Sequence, residues 1–122
     1  MKRGVNKAKT NEDLSEFSLQ LILHSGNARS FAMEAIFLSK QGKSSDTQEK
    51  LMEAEHEFVA AHEIQTALIQ QEVNGEKFEI PMFLIHAQDH LMTSMTTKDL
   101  AMEIVKLHEK DGDAFMNLSY GI

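Results

Sequence analysis

The sequence predicts an all-α fold, an antiparallel up-down-up bundle of three helices. Apolar residues recur at alternating spacings of three and four over long stretches, the period of helices packed against one another. Two short glycine-bearing segments, Gln41-Gly42-Lys43-Ser44-Ser45 and Asn74-Gly75-Glu76-Lys77, separate those stretches. The single proline, Pro81, suits the first turn of a third helix better than the interior of one.

The first helix is expected to begin at Thr10-Asn11-Glu12-Asp13, where capping side chains precede acidic residues that suit the positive end of a helix dipole. Its seam reads Leu14, Phe17, Leu21, His24, Ala28, Phe31, Ala35 and Leu38, with His24 alone breaking the apolar rule. Gly26, Ala28, Ser30 and Ala32 make its middle small-sided, so another backbone could approach closely there. Gly42 marks its end, and a capping box from Ser45 to Gln48 is expected to open the second helix, from about Asp46 to Val73. In that helix Leu51, Ala54, Phe58, Ala61 and Leu68 form one stripe. Met52, Val59, His62, Thr66 and Ile69 form its neighbour, and together they predict a broad buried face.

The third helix is expected from near Ile80 to near Lys110, before Asp111-Gly112. Helices of about 28 to 30 residues, roughly 45 Å long at 1.5 Å per residue, joined by short loops must pack antiparallel. The expected organisation is a flexible leader over residues 1–10, a folded domain over 11–112 and a fraying tail over 113–122.

Composition narrows the possible functions. A chain of 122 residues is of single-domain size, long enough for a core yet short enough to gain from oligomerisation. The formal net charge of -7 argues against nucleic-acid binding, since no broad surface could displace phosphate counterions. Lys2, Arg3, Lys7 and Lys9 cluster in the leader. Without cysteine there is no disulfide, thiolate metal site or cysteine nucleophile, and the chemistry falls to histidine, carboxylate or hydroxyl groups. No apolar run approaches the roughly 18 residues that span a bilayer, and no signal-peptide core follows the basic start, so a cytoplasmic protein is expected.

The chemically unusual stretch is Phe83-Leu84-Ile85-His86-Ala87-Gln88-Asp89-His90-Leu91-Met92-Thr93. At about 100° per residue His90 lies roughly 40° from His86 and Asp89 roughly 60° to the other side, so the three share a face. Leu100, Ala101, Ile104 and Leu107 continue that sector, which predicts that the trio sits on a buried face. Met82, Phe83, Leu84, Ile85, Leu91, Met92 and Met95 surround this half of the helix almost completely, more apolar surface than a three-helix monomer can cover. Self-association through the third helix follows.

Three chemistries fit the trio. Histidines at i and i+4 suit a metal, although the zinc protease pattern needs glutamate where Ala87 stands. One histidine could instead be a phosphoryl-accepting nucleophile, with Asp89 and His90 orienting the ring or binding a divalent cation. The third possibility is core histidines satisfied by hydrogen bonds.

The string His86-Ala87-Gln88-Asp89-His90-Leu91-Met92-Thr93 resembles the signature of the lactose/cellobiose-type enzyme IIA components of the bacterial sugar phosphotransferase system. Gly26-Asn27-Ala28-Arg29-Ser30-Phe31-Ala32-Met33-Glu34-Ala35 and Ala61-His62-Glu63-Ile64-Gln65-Thr66 with Leu68-Ile69-Gln70 are similar in register, and the likeness covers about Glu12 to Lys110. The resemblance implies a homotrimer whose His86 takes phosphate from the phosphocarrier HPr and passes it to a cysteine of a IIB component. That acceptor must be a separate polypeptide, since this chain has no cysteine. It also implies that Asp89 meets its symmetry mates around a divalent metal, magnesium, that His90 supports the phosphorylation site, and that the membrane IIC component is an indirect partner. Gln88 matches the signature too, but an ideal helix points it away from His86. The alternative is a non-enzymatic helical trimer, a scaffold or regulator with a structural metal site.

Overall fold

In the computed structural model, which describes the backbone of residues 11–120 and the side chains of residues 12–110, the chain forms three helices. They are α1 (Asn11–Lys40), α2 (Ser44–Val73) and α3 (Met82–Tyr120), packed up-down-up, and α1 is the element on which both others rest most extensively. The expected all-α bundle is the observed fold.

Both connections are set by glycine. Gly42 has φ +74 and Gly75 has φ +98, in the left-handed region that a Cβ disfavours. At the end of α1, Lys43 N–H donates to Leu38 O at 3.1 Å and Gly42 N–H to Ser39 O at 3.1 Å. Glu76 N–H to Gln71 O at 3.0 Å and Gly75 N–H to Glu72 O at 3.1 Å repeat the pattern at the end of α2. These paired bonds satisfy carbonyls that a helix end leaves free, and they turn the chain sharply enough for the next helix to fold back.

The core lies mainly at one end. Leu14, Phe17 and Leu21 of α1, Phe58, Ala61, Ile64 and Leu68 of α2, and Leu84, Ala87 and Leu91 of α3 form its larger cluster. Toward the other end Ala32, Ala54 and Ala101 bring the helices close together, with Phe31 and Ile36 packed alongside. Burying Leu21 or Leu91, each fully enclosed, stabilises the bundle by about 1.5–3 kcal/mol per side chain. Two core hydroxyls are tied to backbone, Ser94 Oγ donating to Ser25 O at 2.8 Å across α1 and α3 and Ser18 Oγ to Leu14 O at 2.6 Å, while the buried Ser25 Oγ has no partner among the described residues.

Several expectations need correction. No side-chain cap opens α2, so the Ser45 to Gln48 box does not form; Thr47 is buried there, and its Oγ1 donates to Lys43 O at 2.7 Å. Pro81 precedes α3 and its carbonyl accepts from Leu84 N–H at 3.0 Å, so it caps the helix from outside rather than sitting in its first turn. α3 continues past Gly112 to Tyr120, where an end near Lys110 is expected. A helical glycine costs only about 1 kcal/mol and no proline follows to stop the turn. The second stripe of α2 is not buried either: Met52, Val59 and Ile69 are exposed, and α2 turns inward through Thr47, Ala54, Phe58, Ala61, Ile64 and Leu68. The leader, residues 1–10, and Thr10 as a cap lie outside the described residues.

Candidate functional site

The buried face of α3 is Leu84, Ala87, Leu91, Ser94, Ala101 and Val105, which centres roughly 100° around the helix from His86. The predicted burial of the trio is therefore corrected. His86 and Asp89 are exposed and His90 is half-buried, while Leu100 and Leu107 on the same sector are each 58% exposed. In a bundle of this size each helix can turn only one flank inward, and alanine and leucine at 87 and 91 fill the space against α1 and α2 better than imidazoles would.

His86 and His90 stand one turn apart with ring centroids 4.6 Å from each other and planes at 88°, an edge-on contact. Among the described residues neither ring has a hydrogen-bond partner, so both keep their nitrogens for an incoming group. Thr93 and Thr97 do not supply one: Thr93 Oγ1 donates to Asp89 O at 2.9 Å and Thr97 Oγ1 to Thr93 O at 2.9 Å. Gln88 points to the other side, where its Oε1 accepts from Gln65 Nε2 of α2 at 2.7 Å.

The electrostatics of the helix start favour an anion. Glu12 and Asp13 occupy the first turn of α1, and Asp46 that of α2, but the first turn of α3 has no acidic residue. No carboxylate within that turn offsets its positive dipole end, one turn before His86. Around the histidines the surface is apolar, with Met82, Phe83, Ile85 and Met92 all exposed. Beside them Leu68, Ile69, Phe78, Ile80, Leu84 and Ile85 line an open cleft of about 260 Å³. Sequence reasoning missed this cleft, although Phe78 and Ile80 in an otherwise polar connection were a signal for it.

Asp89 is one exposed carboxylate. Among the described residues no group of three or more His, Cys, Asp or Glu side chains could hold a metal ion within one subunit.

Three of the other four histidines, His24, His62 and His108, have side-chain partners. His24 Nδ1 lies 2.7 Å from Glu57 Oε2, and Asn27 Nδ2 donates to Glu57 Oε1 at 2.9 Å. Burial pushes the Glu57 carboxyl up, but these bonds and the charges of His24 and His56 outweigh it and hold the group below its ordinary value. His62 stacks on Phe58 with centroids 5.9 Å apart, and His108 Nδ1 lies 2.6 Å from Ser39 Oγ.

The profile of a family described as "PTS system, Lactose/Cellobiose specific IIA subunit" matches residues 16–109. The chain belongs to this IIA family. It is 50% identical over 100 residues to the lichenan-specific phosphotransferase enzyme IIA component of Bacillus subtilis, covering 82% of this chain and 91% of that one. The fold is similar to the crystal structure of the cellobiose-specific enzyme IIA from Bacillus anthracis, with a TM-score of 0.79 and 48% identity over 87% of this chain and 95% of that one. It is also similar to the IIA chain in the solution structure of a chitobiose IIA complex with HPr, with a TM-score of 0.71, 36% identity, and coverage of 84% of this chain and 97% of that one. As a IIA component the chain is a phosphotransferase component of a sugar transport system, and among the described residues no helix is long and apolar enough to cross a membrane.

Proposed function

We propose that His86 is the group that carries the phosphoryl unit, received from HPr and delivered to a cysteine of a separate IIB component. The observation that carries this reading is an exposed imidazole without a hydrogen-bond partner, one turn into a helix whose first turn lacks acidic residues and whose surroundings are apolar. In the first step the lone pair of a neutral His86 nitrogen attacks the phosphorus of the donor phosphohistidine in line. The donor N–P bond breaks and its electron pair returns to the donor ring. In the second step the cysteine thiolate attacks the same phosphorus, an S–P bond forms and His86 recovers its lone pair. His90, edge-on at 4.6 Å, holds the His86 ring and offers an N–H to the transferred group.

The exposed Met82, Ile85 and Met92 beside Asp89 support a homotrimer through α3. In that assembly three Asp89 carboxylates would hold a magnesium ion, which neutralises charges that otherwise repel. Contact with HPr and IIB is expected to be apolar and short-lived, because a carrier that held either tightly would stall. The transported sugar is a β-linked disaccharide of the cellobiose, lactose or chitobiose kind. It is selected by the membrane IIC component, which this chain serves only indirectly.

Incubation with phosphoenolpyruvate, enzyme I and HPr should label the protein with an acid-labile, alkali-stable phosphate. Labelling that persists in His86→Ala would sink the assignment.

A further inference from the structure

The cleft between α2 and α3 is a feature that transfer chemistry at His86 does not require. Leu68, Ile69, Phe78, Ile80, Leu84 and Ile85 give it apolar walls, and Ile69, Ile80 and Ile85 remain 49%, 54% and 59% exposed. It opens where α2 and α3 touch each other far less than either touches α1. Its volume of about 260 Å³ admits an aliphatic side chain, and apolar surface gathered in this way marks a place where something binds.

The end of the bundle that holds the cleft is acidic. Glu12, Asp13 and Glu16 of α1, Glu72 of α2, and Glu76 and Glu79 of the connection to α3 stand there, with Lys77 the sole cation among residues 11–17 and 70–81. Glu72 also lines the cleft. The leader carries the opposite charge: Lys2, Arg3, Lys7 and Lys9 without a carboxylate, and Val5 between the two basic pairs. It joins α1 at the same end. Ser25 is bonded to Ser94 and Ser39 to His108, each pair 69 residues apart, so Asn11 stands at the height of Ile80 in the cleft wall.

We propose that the chain's own leader, residues 1–10, which lies outside the described residues, docks over this cleft. Val5 enters between Ile69, Ile80 and Ile85, and the four cations pair with the carboxylates of that end. From Asn11 back to Val5 an extended chain reaches about 20 Å, roughly twice the spacing of neighbouring helix axes. So short a tether holds the segment at an effective concentration on the order of millimolar, and weak contacts then suffice. A single exposed ion pair contributes little, so the apolar anchor and the tether supply the hold while the charges choose the end. Lysine and arginine stems extend the apolar cover and keep their charged tips in water. Docking asks nothing of the His86 ring, and it stands or falls apart from the phosphoryl reading.

Methyl NMR of the full chain provides the test. Lys2→Glu, Arg3→Glu, Lys7→Glu and Lys9→Glu together should shift the methyl resonances of Ile69, Ile80 and Ile85 and leave those of Ile36 and Ile104, toward the other end, in place. Val5→Ser, which keeps every charge, should shift the same three. Salt at about 1 M, where the screening length falls to about 3 Å, should move the wild-type cleft resonances toward those of the charge-reversed chain. Cleft methyls that stay in place in either variant, or shifts that spread equally to Ile36 and Ile104, overturn the proposal. Mixing unlabelled wild type into labelled charge-reversed protein checks the leader of a second copy. Resonances that return to their wild-type positions put that leader in the cleft and overturn docking within the chain; resonances that stay shifted support it.

Discussion

Two histidine regions of this molecule look alike in sequence and differ in what surrounds them. His24 on α1 and His86 on α3 each interrupt a largely apolar helical pattern. His24 is locked at 2.7 Å to Glu57, whose side chain is only 19% exposed and which Asn27 also binds. The ring at His86 touches another imidazole and otherwise faces outward. A histidine held by a carboxylate contributes to stability. One whose nitrogens are unengaged at the positive end of a helix is equipped for transfer chemistry. Position on a helical stripe therefore does not distinguish these two histidines, whereas their partners do.

The largest effects should fall on the reactive side. His86→Ala should reduce phosphate uptake to background, while His24→Ala should keep it; a reversed result from radiolabelled phosphoenolpyruvate would break the contrast. His90→Ala should slow uptake by about tenfold or more, the worth of a hydrogen bond to a charged group. It should also shift the pH profile of the rate, which a purely structural ring would not do. An unchanged rate and profile would remove His90 from the site.

On the structural side the expected changes are smaller. Glu57→Gln should cost about 1 kcal/mol near neutral pH, because His24 remains 35% exposed and solvent weakens the pair. The Glu57 carboxyl lies below its ordinary value of 4.5, so its stabilisation is fully present above that pH and disappears as the pH falls through the lowered value. Thermal melts of wild type and variant should differ at pH 7 and converge at strongly acid pH. A gap that widens on acidification would contradict the role given to Glu57.

The smallest change is expected at Asp89. Asp89→Leu should keep or tighten association by replacing clustered carboxylates with apolar packing, and chelation of divalent metal should loosen the wild type but not the variant. Light scattering that finds Asp89→Leu monomeric would contradict this.

Much of the fold was legible because its determinants are local. Gly42 and Gly75 end helices by their own left-handed backbone, and their neighbours complete the hydrogen bonds within a few residues. The seam through Leu14, Phe17, Leu21, Ala28 and Ala35 is likewise buried as the periodicity requires. The candidate site was legible as a set of chemical groups, His86, Asp89 and His90 on one side of α3, but its surroundings were not. The Ser45 to Gln48 cap gave way to a buried Thr47, and Gln88 was claimed by Gln65 of α2, a residue more than twenty positions away.

The sequence by itself therefore determined three helices, the two turns that fold them back on one another and the residues able to do chemistry. Only the tertiary structure decided which flank of each helix faces inward. A period of 3.6 sets the spacing of a stripe but not its direction when a helix has two apolar stripes, as α1 and α3 do. On α3 that choice went to Leu84, Ala87 and Leu91, whose shapes fill the space between α1 and α2, and it left His86 and Asp89 outside.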